Sequence, residues 1–273
     1  MKIGIISDSL LLDFPASVQR AASLGASGIQ KYLTFGDFVA ENMTPARIAE
    51  IKDIMSSNGL VFSAICGDFG LDLDHPEVVE KSKKVLYSAK ELGCNIVTTH
   101  IGHLYLEEDA RMELIRKNAR ELAEYADSIG SVFAAETGTE KAPVLKAFLD
   151  SLGAKGLRVN LDPANLVMVA HDDPVAAVDV LKDYIVHTHA KDGVMNYFKD
   201  PEFIYGIKHD DALVTAPSFE EVPLGEGSVP WDKYLAALDD IGFKGFLTIE
   251  REVGDDPAKD IGMAVKFLQE KMK

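Results

Sequence analysis

The chain has 273 residues, 47% of them hydrophobic, so it can bury a large core in one α/β barrel or in two small domains. Lysine and arginine number 28 against 44 aspartates and glutamates, and the net charge of -16 disfavours binding to nucleic acid or to an anionic membrane. Two cysteines without a CxxC motif, and no apolar stretch of membrane-spanning length, predict a cytoplasmic protein.

Eight strand-like segments alternate with longer segments of helical periodicity, at intervals of roughly thirty residues. From the N-terminus, the predicted strands are residues 2–7, 28–32, 60–66, 95–100, 131–136, 157–162, 185–190 and 245–250. Turns such as Asn58-Gly59 and Ile129-Gly130 end the helices that precede the next strand. Eight βα units in a chain of this length predict an α/β fold, a single (β/α)8 TIM barrel that forms one domain over residues 1–273.

The connection that follows the seventh predicted strand is much longer than the others. It runs from residue 193 to 229 without a clear periodic element and contains Tyr197, Phe198, Tyr205 and His209. Long irregular connections in compact domains are usually functional lids or binding loops. We expect this loop, residues 193–222 above all, to cover a functional site, with a peripheral or oligomer-contact role as the alternative.

Four predicted strands end on a side chain that can bind a metal ion. These side chains are Glu136, Asp162, His189 and Glu250. In a (β/α)8 barrel the carboxyl ends of the strands meet at one face, where active sites lie. Three carboxylates and one imidazole form an oxygen-rich set that suits Mn²⁺, Mg²⁺ or Co²⁺, with Zn²⁺ as a further alternative. We predict a site for one divalent cation and take Mn²⁺ as the first choice.

The last five predicted strands have one polar face and one apolar face. Side chains two residues apart in a strand point the same way. The small or polar side chains on one face are Thr98 and His100, Ala134 and Glu136, Asn160 and Asp162, His187 and His189, and Thr248 and Glu250. We therefore expect helices to cover the apolar face and the polar face to line the barrel mouth.

Five short motifs, in order along the chain, resemble those of the xylose isomerase-like (β/α)8 barrels. They are ETG at 136–138, LDPANL at 161–166, HTHAKDG at 187–193, GEGSVPW at 225–231 and IERE at 249–252. This superfamily includes sugar phosphate isomerases and epimerases, ketose 3-epimerases, inosose dehydratases and endonuclease IV. The resemblance extends over essentially the whole chain and implies a metal-dependent enzyme that acts on a small carbohydrate.

The resemblance also implies roles for individual residues. The four strand-end residues would bind the metal, and two of them, Glu136 and Glu250, would also act as catalytic acid and base. His100, Asn165 and Lys191 match positions that contact the substrate in relatives. For Asn165 and Lys191, support of the metal-binding residues from behind is an equally good interpretation.

Two positions depart from the patterns of particular relatives. Asn165 stands where endonuclease IV has a zinc-binding histidine, which together with the acidic net charge argues against a DNA-repair enzyme. Met195 stands where ketose 3-epimerases of the tagatose and psicose type have an arginine. The substrate is therefore expected to differ from a standard free ketohexose.

The resemblance implies a sugar or sugar-phosphate isomerase or epimerase that works by proton transfer through a metal-stabilised enediolate. An inosose-type dehydratase, a lyase with the same metal site, is the first alternative. A non-catalytic sugar-binding barrel is the second, although four intact metal-binding residues argue against it. No nucleic-acid or membrane partner is expected, and a homo-oligomer is an alternative to a monomer.

Overall fold

Eight parallel strands, each followed by a helix, close into a barrel in the computed structural model, which describes residues 1–208 and 216–273. The barrel strands are β1 (Lys2–Ile6), β2 (Gly28–Tyr32), β3 (Val61–Cys66), β4 (Ile96–Thr99), β5 (Val132–Glu136), β6 (Leu157–Leu161), β7 (Ile185–Ala190) and β8 (Phe246–Ile249). The long helices of the described residues are α1 (Phe14–Leu24), α2 (Pro45–Ser57), α3 (Pro76–Glu91), α4 (Ala110–Ser128), α5 (Ala142–Leu152), α6 (Pro174–Leu181), α7 (Trp231–Asp240) and α8 (Pro257–Lys271). Because β1 pairs with both β2 and β8, the sheet is closed, and the predicted (β/α)8 TIM barrel is confirmed.

Most of these helices begin at a polar side chain that accepts a hydrogen bond from the backbone of the first turn. The capping residues are Asp13 for α1, Thr44 for α2, Asp109 for α4, Asp173 for α6 and Asp256 for α8. Such caps satisfy backbone N–H groups that have no partner within the helix. Among the described residues, no helix combines the length and the apolarity that crossing a membrane requires.

The barrel strands separate an apolar outer face from a polar inner face, as the alternation predicts. The apolar side chains belong to the core between strands and helices; they include Val97, Phe133, Val159 and Leu247. Inside the barrel, burial lowers the pKa of His187 well below its usual value, so the ring is neutral. Its Nδ1 donates to Asn160 Oδ1 and its Nε2 accepts from Thr248 Oγ1, both at 2.8 Å. The polar interior is stable because these buried groups satisfy one another.

The connection between β7 and α7 contains regular structure that the sequence pattern did not reveal. Residues Asp192–Met195 pair antiparallel with Phe219–Val222 to form a hairpin. A short helix, Pro201–Ile204, lies between these two strands in the chain. The expectation of a connection without periodic elements was therefore wrong for its two ends. His209, which the sequence assigned to the same loop, lies outside the described residues.

Asp192 fixes the base of this hairpin. Its carboxylate accepts hydrogen bonds from Gly225 N at 2.9 Å, from Val229 N at 3.1 Å and from the Trp231 indole at 2.8 Å. A Cβ at Gly227 would lie 2.0 Å from Asp192 Oδ1, so this close approach requires glycine. The connection therefore leaves and rejoins the barrel at defined points.

Candidate active site

The four strand-end residues predicted as metal ligands meet at the barrel mouth. Glu136 ends β5, His189 lies near the end of β7, and Asp162 and Glu250 directly follow β6 and β8. One candidate ligand atom from each residue lies within 4.8 Å of the others. Nδ1 of His189 is 3.4 Å from Glu136 Oε1, 3.5 Å from Asp162 Oδ2 and 3.2 Å from Glu250 Oε2. This four-residue cluster could hold a metal ion.

One oxygen of the Asp162 carboxylate accepts hydrogen bonds, and the other has no hydrogen-bond partner among the described residues. Oδ1 accepts from Ala164 N at 2.8 Å and from Asn165 N at 3.0 Å, which begins the short helix Pro163–Asn165. Oδ2 is buried at the cluster and has no hydrogen-bond partner among the described residues. A buried oxygen of this kind is costly unless a donor or a cation binds it. Asp162 Oδ2 thus fits the role of a metal ligand.

Gln30 orients His189 toward the cluster. Gln30 Oε1, an acceptor, lies 3.2 Å from His189 Nε2, and Asn160 Nδ2 lies at the same distance from that nitrogen. Nδ1 lies 3.2–3.5 Å from all three carboxylates, so it is the ring nitrogen that could bind a metal. Gln30 Nε2 in turn donates to Thr98 Oγ1 at 3.2 Å. The sequence pattern did not single out Gln30, although it shares a face of β2 with Tyr32 and alternation there could have found it.

Buried charges set the protonation of the cluster. Burial alone would lower the pKa of His189, but Glu250 and Glu136 outweigh it and raise this pKa well above its usual value. Burial opposes the ionisation of Glu136, yet His189 and His100 lower its pKa. The pKa of Glu250 also falls, against the effect of burial, because Lys191 and His189 are adjacent. In the metal-free protein the glutamates are therefore ionised and His189 is a cation that compensates them.

Polar side chains from neighbouring positions hold the two glutamates. Asn165 Nδ2 donates to Glu136 Oε1 at 3.1 Å, and Asn160 Nδ2 donates to Glu136 Oε2 at 3.3 Å. Lys191 Nζ donates to Glu250 Oε2 at 3.1 Å. Glu136 is thus held by neutral amides and Glu250 by an ammonium group. These contacts match the supporting role that the sequence left open for Asn165 and Lys191.

A cavity of about 650 Å³ opens over the cluster. Its wall includes all three residues predicted to contact the substrate, His100, Asn165 and Lys191, together with Glu136, His189 and Glu250. His100 Nε2 lies 3.8 Å from Glu136 Oε1. The wall also contains residues that the sequence analysis did not predict. They come from β2, from β3 and the turn after it, and from the segment after β8, and they include Tyr32, Cys66, Asp68 and Glu252. The long connection also contributes, through residues that include Tyr205, Pro217 and Phe219.

A closed (β/α)8 barrel with three carboxylates and one imidazole at its mouth defines a TIM-barrel protein with a candidate divalent-metal centre. The chain belongs to the xylose isomerase-like TIM barrel family, whose sequence profile matches residues 18–271. A search of curated proteins found no match to the chain.

Several solved structures are similar to this one. A xylose isomerase domain protein from Planctomyces limnophilus has a TM-score of 0.81 and 23% identity, with 100% of this chain and 96% of that chain covered. The probable 3-DHS dehydratase AsbF from Bacillus anthracis has a TM-score of 0.75 and 20% identity, with 98% and 99% covered. A D-psicose 3-epimerase from Clostridium cellulolyticum H10 has a TM-score of 0.72 and 15% identity, with 100% of both chains covered. At sequence identities of 15–23%, this structural similarity establishes the fold alone.

Proposed function

We propose that this protein is a metal-dependent sugar isomerase or epimerase that moves a proton on and off a carbon beside a carbonyl group. The pair Glu136 and Glu250 carries this proposal. Both line the cavity, both lie within 3.4 Å of His189, and they come from β5 and β8, three strands apart in the closed barrel. A sugar bound between them would have a carboxylate on each side, which acid–base catalysis requires.

All four cluster residues would hold the metal, but two of them would do more. Asp162 is fully buried beneath the cavity and His189 is held by Gln30, so both would serve as ligands. Glu136 and Glu250 face the cavity and could also exchange protons with a substrate. A bound divalent cation would act as a Lewis acid that acidifies the C–H bond beside a carbonyl group. Mn²⁺ is our first choice for this oxygen-rich set, and Mg²⁺, Co²⁺ or Zn²⁺ would suit the same donors.

The hydrogen-bond partners of the two glutamates make them unequal as bases. The ammonium group of Lys191 stabilises the Glu250 carboxylate more than amides stabilise Glu136, so Glu136 is the stronger base. We assign the removal of the substrate proton to Glu136. Because Glu250 starts ionised, the proton that it returns would first have to reach it, for which the Lys191 ammonium group at 3.1 Å is placed. Return of that proton to the same carbon from the opposite side gives an epimer, and return to the neighbouring carbon gives an aldose–ketose isomerisation.

The wall of the cavity supports a small carbohydrate as the substrate. His100, Asn165 and Lys191 present polar atoms that could bind sugar hydroxyl groups. An epimerase of a free sugar is among the proteins with a similar structure, which supports this class. Cys66 and Cys94 are both buried free thiols, a state that supports a cytoplasmic location.

His100 favours a dehydratase as a second candidate. Burial lowers the pKa of His100, but Glu136 and Asp68 outweigh it and the pKa is raised. A protonated imidazole 3.8 Å from the proposed base could give a proton to a departing hydroxyl group and so complete a dehydration. A probable dehydratase is among the proteins of similar structure, which supports this second candidate.

Proton exchange in deuterated water, followed by NMR, tests the proposal. The Mn²⁺-loaded protein is incubated with ketoses, with inososes and with their phosphates. An isomerase or epimerase places deuterium beside the carbonyl carbon, whereas a dehydratase yields a product that lacks one hydroxyl group. No reaction with any of these compounds would favour the non-catalytic sugar-binding barrel instead.

A matched pair of variants tests the role of Glu136. Glu136→Gln keeps the size of the side chain and should slow the reaction by about 10²–10⁴-fold, the usual contribution of a general base. Glu124→Gln makes the same change at an exposed position of α4 and should leave the rate unchanged. Equal rates in the two variants would refute Glu136 as the base.

A further inference from the structure

We infer that the substrate carries neither a phosphate nor a carboxylate group and is an uncharged polyhydroxy ketone. This inference rests on the proposed function and narrows its substrate class. The cavity wall contains six carboxylates, those of Asp68, Glu136, Glu220, Glu221, Glu250 and Glu252. Among the described residues, the wall holds one lysine, two histidines and no arginine. A divalent cation, Lys191 and a protonated His100 would together supply four positive charges against the six carboxylates, so the cavity keeps a negative potential that repels anions.

The one lysine of the described wall is already neutralised. Lys191 is buried, and its Nζ lies 3.1 Å from Glu250 Oε2, 2.9 Å from Glu252 Oε2 and 3.7 Å from Glu221 Oε2. An ammonium group has three N–H donors. With three carboxylates around it, Lys191 offers no excess positive charge to a phosphate.

Arg251, next in sequence to Glu250, faces away from the cavity. Its Nε lies 2.9 Å from Asp260 Oδ2 on α8, and its Nη1 lies 2.9 Å from Glu221 Oε1. Arg251 is not part of the cavity wall, whereas Glu250 is. Its guanidinium group is paired with Asp260 and with Glu221, a wall carboxylate, so it offers no excess positive charge to a phosphate.

The glycine-rich turn before α7 is also closed to an anion. In many TIM barrels, loops after the seventh and eighth strands bind phosphate through backbone N–H groups. Here Gly193 N, Gly225 N and Val229 N donate to the carboxylate of Asp192, at 2.9, 2.9 and 3.1 Å. Asp192 is buried. A phosphate at this turn would meet a fixed carboxylate that already holds these donors.

Two further features fit an uncharged ligand. Residues 209–215 have the sequence HDDALVT, so this part of the long connection supplies no lysine or arginine. Tyr32, Tyr205 and Phe219 contribute aromatic rings to the wall, and such rings pack against the apolar C–H surface of a sugar. Carboxylates accept hydrogen bonds from sugar hydroxyl groups. The wall therefore suits a ketose or an inosose without a charged group.

Matched pairs of ligands test the inference. D-Fructose, D-tagatose and D-ribulose are compared with fructose 6-phosphate, tagatose 6-phosphate and ribulose 5-phosphate on the Mn²⁺-loaded protein. Binding is measured by calorimetry and proton exchange by NMR, so a failure of catalysis is distinguished from a failure of charge selection. We expect the uncharged member of at least one pair to bind at least about tenfold more tightly, with a smaller difference at high salt. Equal or tighter binding of the phosphates, or no binding of any uncharged member, would overturn the inference.

A change of charge at the rim gives an independent check. Val253 lines the cavity and is exposed, so a longer side chain fits there without disturbing the core. Val253→Lys adds a cation, and Val253→Met adds similar length without charge. The Lys variant should lower the preference for the uncharged sugar at least about threefold relative to the Met variant. An equal preference in the two variants would show that charge at the rim does not select the substrate.

Discussion

Replacing Asp162 by asparagine removes one candidate metal ligand and preserves the local fold. Asparagine keeps the Oδ1 atom that accepts hydrogen bonds from Ala164 N and Asn165 N, and its side chain is nearly the same size. The change falls on Oδ2, the buried oxygen without a partner among the described residues, which becomes an uncharged NH₂ group. An amide nitrogen donates hydrogen bonds and does not bind a cation. The variant should therefore fold and bind metal poorly.

The size of the effect follows from linkage between binding and folding. A metal present at 100 times its dissociation constant stabilises the folded protein by about 2.7 kcal/mol. If the loss of one ligand weakens binding about 100-fold, the same metal concentration equals the new dissociation constant. The stabilisation is then RT ln 2, or about 0.4 kcal/mol. The expected loss of metal-dependent stability is about 2.3 kcal/mol.

Urea unfolding with Mn²⁺ and with a chelator measures this difference. Asp173→Asn is a matched control, because Asp173 Oδ1 also accepts from the backbone N–H groups two and three residues later, those of Val175 and Ala176. Asp173 is not part of the cluster. The control should keep the full stabilisation by Mn²⁺. If Asp162→Asn also kept it, Asp162 would not be a metal ligand.

Four other outcomes are expected. Mn²⁺ affinity should rise about tenfold per pH unit below the raised pKa of His189, because the metal must displace a proton; calorimetric titrations giving a pH-independent affinity would contradict this. The raised pKa also implies that metal-free protein has the full stabilisation from His189 below about pH 6.5 and loses it as the pH rises through the folded-state pKa, which urea unfolding at several pH values checks. Lys191→Met should raise the pKa of Glu250, which must be ionised to bind the metal, and so shift the acidic limb of Mn²⁺ binding to higher pH, whereas Lys191→Arg should keep that limb near its original position; an unmoved limb in the Met variant would exclude this charge coupling. Replacing the residues between the two hairpin strands by a short turn should raise KM more than it lowers Tm, and the reverse result would make the loop structural.

Much of the site could be predicted because its signals are local. Alternation within single strands placed His187 and Thr248 on the inner face, and the structure pairs them there. The same periodicity brought the four strand-end residues to one mouth once the barrel was inferred. The predicted strands included Asp162 and Glu250, whereas the strands of the structure end one residue before each of them. Asp162 is not part of strand β6 because it caps the short helix Pro163–Asn165 that follows.

The rest depends on contacts between distant parts of the chain. Gln30 orients His189 across 159 positions of sequence, and a single glutamine in β2 carries no local signal of this role. The hairpin after β7 was missed because its strands are short and well separated in sequence, and because Asp192 pins its base through N–H groups of Gly225 and Val229. Arg251, one residue after Glu250, is not part of the cavity wall because it pairs with Glu221 and with Asp260 on α8, and these partners are distant in sequence or unmarked by any local pattern.

Metal content tests the central claim most directly. The full chain is stripped with a chelator, reconstituted with Mn²⁺, dialysed and examined by elemental analysis, beside the Asp162→Asn and Asp173→Asn variants. We predict about one ion per chain for the wild type and for Asp173→Asn, and far less for Asp162→Asn, as expected when one of four ligands is lost. A wild-type protein that retains no divalent cation would contradict the metal site and the enzymatic function built on it.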